Sequence, residues 1–142
     1  MTRTAPVTVI VPAFNAAPFL GMTLEALQSQ TQVPEQIILI DDGSTDDTAA
    51  IAERMGVKVV QQERKGPGAS RNRGLELAET KFVAFCDADD WYVPDKLERA
   101  VDMLEKLGAS CACTDAWIVR DDQIEGRKNE PRSVPSVLTL EY

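Results

Sequence analysis

Gln36-Ile37-Ile38-Leu39-Ile40-Asp41-Asp42-Gly43-Ser44-Thr45-Asp46 decides the fold, because an unbroken apolar run passes directly into acidic and turn residues. An apolar run without alternation is what a strand shows when both faces of its sheet are covered, so residues 36–40 read as a buried parallel strand. Asp-Gly-Ser is ordinary turn chemistry. Ser44 and Asp47 resemble a capping box in its acidic form, and Thr48, Ile51, Ala52 and Met55 give the stripe of a helix that stops at Gly56.

The same change of period recurs on either side. Residues 7–12 read as a first strand, followed by a helix over 18–30 with Leu20, Leu24 and Leu27 on one face and Pro34 marking the turn into the next strand. Residues 57–61 and 81–86 read as further strands, separated by the loop Arg64-Lys65-Gly66-Pro67-Gly68 and a helix over 69–79. A fourth helix is predicted from about Pro94, with Leu97, Ala100, Val101 and Leu104 inward, and a fifth strand over 110–119. Strand and helix in alternation predict an α/β fold, a mostly parallel sheet with helices on both faces. The 142 residues, 44% of them hydrophobic, suffice for one domain, and 120–142 reads as an irregular C-terminal segment.

Composition excludes several functions. With 15 basic and 23 acidic residues the net charge is −8, so the broad basic footprint of a nucleic-acid binder is missing. Histidine is absent, which removes His-based triads, imidazole ligands and a histidine base from this chain. Cys86, Cys111 and Cys113 lack paired CxxC spacing and read as reduced core residues. No run approaches the ~18 apolar residues of a membrane span, and the apolar stretch 7–11 is too short for a signal peptide, so a cytoplasmic protein is expected.

In open parallel sheets ligands bind beyond the carboxyl ends of the strands, where residues 13–15, 41–44 and 87–90 fall. If the chain stays extended, Asp87 and Asp89 point to one side, ~7 Å apart at Cα. Such carboxylates repel unless a cation neutralises them, and Mg2+ or Mn2+ suits oxygen ligands completed by substrate phosphates. A single aspartate after a strand commonly caps the next helix or sits in a solvated turn; three in residues 87–90 are harder to explain that way. Asp41 and Asp42 alone would be a turn, but Asp42 could instead accept the N3–H of uracil, a donor that cytosine lacks. Arg71 and Asn72 could reach the base or the diphosphate, with Lys65 adding charge and Gly66 and Gly68 admitting a close ligand. Trp91 and Tyr92 could belong to a sugar site, although aromatics there more often anchor the core.

Together, residues 9–15, 40–46, 68–72 and 85–90 resemble the family 2 glycosyltransferases, which implies a GT-A type nucleotide-sugar fold over about 7–119. By that resemblance Pro12, Ala13 and Phe14 would line the base pocket, with Phe14 against uracil, and Asp42 and Arg71 would address the base. Asp87-Ala88-Asp89 matches the family's DxD motif, which implies Asp87 near the ribose and Asp89 on a metal bridging the diphosphate. Asn15, Asp41, Asn72 and Asp90 would support that site. The implied reaction is inverting transfer from a nucleoside diphosphate sugar, a UDP-sugar first, to a hydroxyl of a saccharide, lipid or protein.

The family's catalytic aspartate lies well beyond the DxD, and Asp115, Asp121 and Asp122 do not stand in that place, so no base is assigned. The expectation is a donor-binding half without its acceptor half, weakly active or inactive alone. The alternative is a noncatalytic nucleotide-sugar module that works with a partner chain and self-associates through exposed sheet surface. A nucleotidyltransferase or a dinucleotide dehydrogenase would need a Gly-rich loop after the first strand, where Pro12-Ala13-Phe14-Asn15 stands instead.

Overall fold

The computed structural model describes residues 3–114, 116–120, 123–127 and 137–138. The chain divides into two compact units, Met1–Arg99 and Ala100–Tyr142.

The first unit alternates strand and helix as expected: β1 (Arg3–Ala13), α1 (Ala17–Gln28), β2 (Gln32–Asp41), α2 (Thr48–Arg54), β3 (Lys58–Gln61), α3 (Pro67–Leu77) and β4 (Phe82–Phe85). A helix α4 (Lys96–Leu107) then carries the chain into the second unit. The four strands pair in parallel in the order β3-β2-β1-β4. From β1 the chain steps outward through β2 and β3, then crosses back to the other side of β1. The order therefore reverses at β1, which puts a topological switch point at the carboxyl ends of β1 and β4.

Period-two alternation distributes the apolar runs to both faces. Ile10, Ile38 and Ile40 are fully buried on one face with Val60, Leu77 and Val83, and α3 packs there against β1 and β2. Val9, Val11 and Leu39 alternate with them and are also fully buried, as are Leu20, Leu24 and Leu27 of α1. This is the two-sided burial that the run 37–40 required. Pro34, read as a turn, lies inside β2 opposite Ala5, where the β1 register shifts before Thr8. An irregular stretch of ladder tolerates the missing N–H.

The capping box is not formed. The N-cap of α2 is Asp47, without a side-chain bond, because Ser44 is engaged by a distant partner described below, while Asp46 Oδ1 accepts the N–H of Thr48. In the second unit the single strand expected over 110–119 is two. Cys111–Ala112 (β5) pairs antiparallel with Val137–Leu138 (β8), and Trp117–Arg120 (β6) forms a hairpin with Gln123–Arg127 (β7). The segment read as irregular thus supplies β7 and β8, strands too short to carry a periodic signal. The cysteines divide: Cys86 is buried, whereas Cys111 and Cys113 are exposed, since a strand of two residues offers little cover. Asp115, Asp121 and Asp122 lie outside the described residues. Among the described residues no helix is long and apolar enough to cross a membrane.

Gly74 of α3 packs closely against β1. A Cβ on Gly74 would lie 2.3 Å from Cγ2 of Ile10, and Ile10 is fully buried and cannot retreat. Gly74→Ala is predicted to lower stability to urea by about 1–3 kcal/mol. A variant as stable as the parent would show that α3 is not seated on β1 in this way.

Candidate functional site

The loop after β1 is built by the loop after β2. Asn15 adopts a left-handed conformation, φ 50°, its N–H donates to Ser44 Oγ at 2.9 Å and its Oδ1 accepts the Thr45 N–H at 2.8 Å. The N–H groups of Ala16 and Ala17 donate to Thr48 Oγ1 and Asp46 Oδ2, so the free donors at the start of α1 are satisfied from a neighbouring loop. Asp41 is buried, and its Oδ1 accepts the Ser44 N–H at 2.9 Å. Asn15 and Asp41, read as supporting residues, hold these two loops to each other and to themselves.

Asp42 is 4% exposed. Its N–H donates to the Ala13 carbonyl, Oδ1 accepts from Gln62 Nε2 at 2.7 Å and Lys65 N at 2.8 Å, and Oδ2 accepts from Gly66 N at 2.7 Å. Burial pushes this carboxyl up, but the bonds from Gln62, Lys65 and Gly66, with the nearby Arg64 charge, outweigh it and hold the pKa below its ordinary value. Gly66 has φ 90°, a conformation that favours glycine, and its N–H faces Asp42 just before α3. A carboxylate has about four acceptor directions. Three are used here, and one on Oδ2 remains.

Pro12, Ala13, Phe14 and Asp42 line one depression of about 80 Å³ together with Pro67 and Ser70. Neither Pro67 nor Ser70 was read as a site residue. Ser70 is buried and donates to the Gly66 carbonyl at 3.2 Å. Pro67, Ser70 and Gly74 recur at helical spacing, the signal in the sequence that these positions share an inward face.

The third loop is a turn. Asp90 N–H donates to the Asp87 carbonyl at 3.0 Å, so 87–90 is not extended and the side-by-side geometry expected for Asp87 and Asp89 does not follow from strand alternation. Ala88 is buried, with its carbonyl accepting from Thr23 Oγ1 at 2.9 Å, while Asp87, Asp89 and Asp90 are exposed. Burial pushes the Cys86 thiol up to about 12, so at neutral pH it stays protonated, with its sulfur near the Asp87 and Asp90 carbonyls at 3.6 and 3.7 Å. Tyr92 is buried and donates to the Phe85 carbonyl at 2.6 Å, with Lys96 Nζ over its ring at 3.7 Å. Tyr92 is therefore a core anchor, whereas Trp91 is exposed.

Arg71 joins this turn to α3 through a 2.5 Å ion pair with Asp87. Asn72 is exposed on the same helix. Asp89 makes no hydrogen bond or ion pair among the described residues, and no group of three His, Cys, Asp or Glu that could hold a metal occurs among them. The exposed carboxylate oxygens of Asp89 are of the hard donor type that Mg2+ or Mn2+ could take as a ligand.

Residues 8–139 match the family model described as Glycosyl transferase family 2. The chain belongs to that family. The uncharacterized glycosyltransferase YibD of Escherichia coli is 36% identical over 127 residues, 85% of this chain and 37% of YibD. The crystal structure of Staphylococcus aureus TarS 1-349 in complex with UDP-GlcNAc is similar with TM-score 0.66 and 33% identity, over 70% of this chain and 31% of that one. The mannosyltransferase PcManGT of Pyrobaculum calidifontis, in complex with GDP-Man and Mn2+, is similar with TM-score 0.71 and 28% identity, over 81% of this chain and 37% of that one. The fold of this family 2 chain is of GT-A type. It spans between 17% and 56% of the length of the curated relatives it matches.

The depressed Asp42 carboxyl predicts a loss of stability in acid. A group with a lowered folded pKa contributes stability that is present above its unfolded value, ~3.9, and lost as pH falls through the folded value. Asp46 is lowered as well: burial raises its pKa, and hydrogen bonds from Thr48 and Ala17 outweigh that effect. Stability to urea is predicted to fall as pH drops below about 4, and Asp42→Asn to be less stable at neutral pH with a shallower acid limb. An unchanged limb in that variant would remove Asp42 as its source.

Proposed function

We propose that this chain binds a nucleoside diphosphate sugar, a UDP-sugar first, through a divalent metal, as the donor for inverting transfer of a hexosyl group to an acceptor hydroxyl. The observation that carries this reading is the placement of the Pro12-Ala13-Phe14-Asp42 depression and the Asp87–Asp90 turn on carboxyl ends of one parallel sheet, with α3 linked to both. TarS with UDP-GlcNAc and PcManGT with GDP-Man and Mn2+ support the ligand class.

In this reading the base stacks on Phe14 between Pro12, Ala13 and Pro67, and the open acceptor direction of Asp42 receives the N3–H of uracil. Arg71, neutralised in part by Asp87, stands between base and diphosphate, and Asp87 turns to the ribose. Asp89 holds the metal, with Asp90 and Asn72 beside it, and Asn15 and Asp41 keep the first two loops in register. The metal, when bound, supplies stabilisation of the negative charge that develops on the departing diphosphate. No described residue is assigned as the general base, and the acceptor, whether saccharide, lipid or protein, is left open. By itself the chain is proposed to bind donor and transfer weakly or not at all.

A noncatalytic module completed by a partner chain is the second reading. It draws on Phe85, 44% exposed on the edge strand β4, and on the exposed Trp91 and Val93 that follow.

Calorimetric titration of UDP, with GDP and dTDP as controls, tests the donor site in Mn2+ and again in EDTA. UDP is expected to bind with Mn2+ and not in EDTA. Asp89→Ala is expected to weaken that binding roughly tenfold or more while keeping its fold, because an exposed ligand contributes only repulsion to the empty protein. Equal binding by the variant would remove the metal assignment, and no binding of any nucleotide would remove the donor site.

A further inference from the structure

Arg64 has no place in the sequence motifs, yet its guanidinium carbon lies over the Phe14 ring, 3.9 Å from the centroid. Its backbone is confined. The next two residues donate their N–H groups to Asp42, and Gly43, at φ 81°, lies so near that a Cβ there would be 3.3 Å from Arg64 N. Arg64 itself is exposed, so its side chain borders solvent as well as the Phe14 ring. Phe14 in turn lines the Asp42 depression and is 37% exposed.

We propose that Arg64 is the second plane of a base clamp: the guanidinium lifts from Phe14, and the planar base of the donor enters between the two. The inference rests on the donor-site reading above. Guanidinium planes and aromatic rings both stack on nucleobases, and an arginine–aromatic contact at an exposed site is weak enough to be opened by a ligand that restores stacking on both sides. Stacking tolerates any base. Arg64 therefore adds affinity, while the hydrogen bond to Asp42 carries the choice of base.

The test is calorimetric titration of UDP with Mn2+ into the unsubstituted chain, R64A and R64K, at low and at high salt, with folding of each checked by circular dichroism. R64A is expected to bind UDP about tenfold more weakly, with the same loss at both salt concentrations, and R64K is expected to recover little of it, since lysine restores charge without the plane. In an F14A background the R64A loss should shrink, because the clamp has already lost one face. Unchanged or tighter binding by R64A would overturn the clamp, and so would a loss that disappears at high salt or is fully rescued by R64K. Failure of the unsubstituted chain to bind UDP at all would instead overturn the donor site, and the clamp with it.

Discussion

Asp42 ties the end of β2 to three other segments, one through its backbone and two through its buried carboxylate. Its N–H is bonded to the end of β1, its side chain to Gln62 at the exit of β3, and the same side chain to the N–H groups that lead into α3. A buried charge is costly unless its lone pairs are filled, and here the filling groups are mostly backbone, which fixes chain positions rather than side-chain rotamers. Removing the carboxylate would take the acceptor away from Gln62 Nε2 and from the N–H groups of Lys65 and Gly66, and would loosen the 62–66 loop. The wall of the depression and the start of α3 depend on the same group, so the site is held by the interaction that also closes the fold around it.

On the other side of the switch point the Asp87–Asp90 turn is supported from beneath. Thr23 reaches the Ala88 carbonyl from α1, Cys86 lies under the turn as a protonated thiol, and Tyr92 fastens the end of β4. The exposed carboxylates therefore stand on a supported backbone. Arg71 is the direct link between this turn and α3, and α3 is fixed by the contact of Gly74 with Ile10.

Much of this was legible in the residues because strand and helix differ in period and because apolar runs such as Ile37–Ile40 have few alternatives to a doubly covered strand. Four ordered motifs identified the family, and Pro12, Ala13, Phe14 and Asp42 do line one depression. What was not legible depends on contacts between residues far apart in sequence. Ser44 is chemically able to cap α2 but is engaged by Asn15, 29 positions earlier. The DxD aspartates would face one side only on an extended chain, a condition that sequence alone could not decide against the turn that 87–90 forms. The stacking of Arg64 on Phe14 joins positions that no motif connects, and strands of two residues, such as β5 and β8, have no period to read.

The central claim is that the ends of β1, β2 and β4 and the start of α3 form one donor site. The most direct test is backbone amide NMR of the labelled chain titrated with UDP in Mg2+. Shifts are predicted to concentrate at residues 13–15, 41–44, 62–66, 68–71 and 86–90 and to rise together along one binding curve. Shifts confined to a single loop, or centred on other residues of the chain, would contradict it.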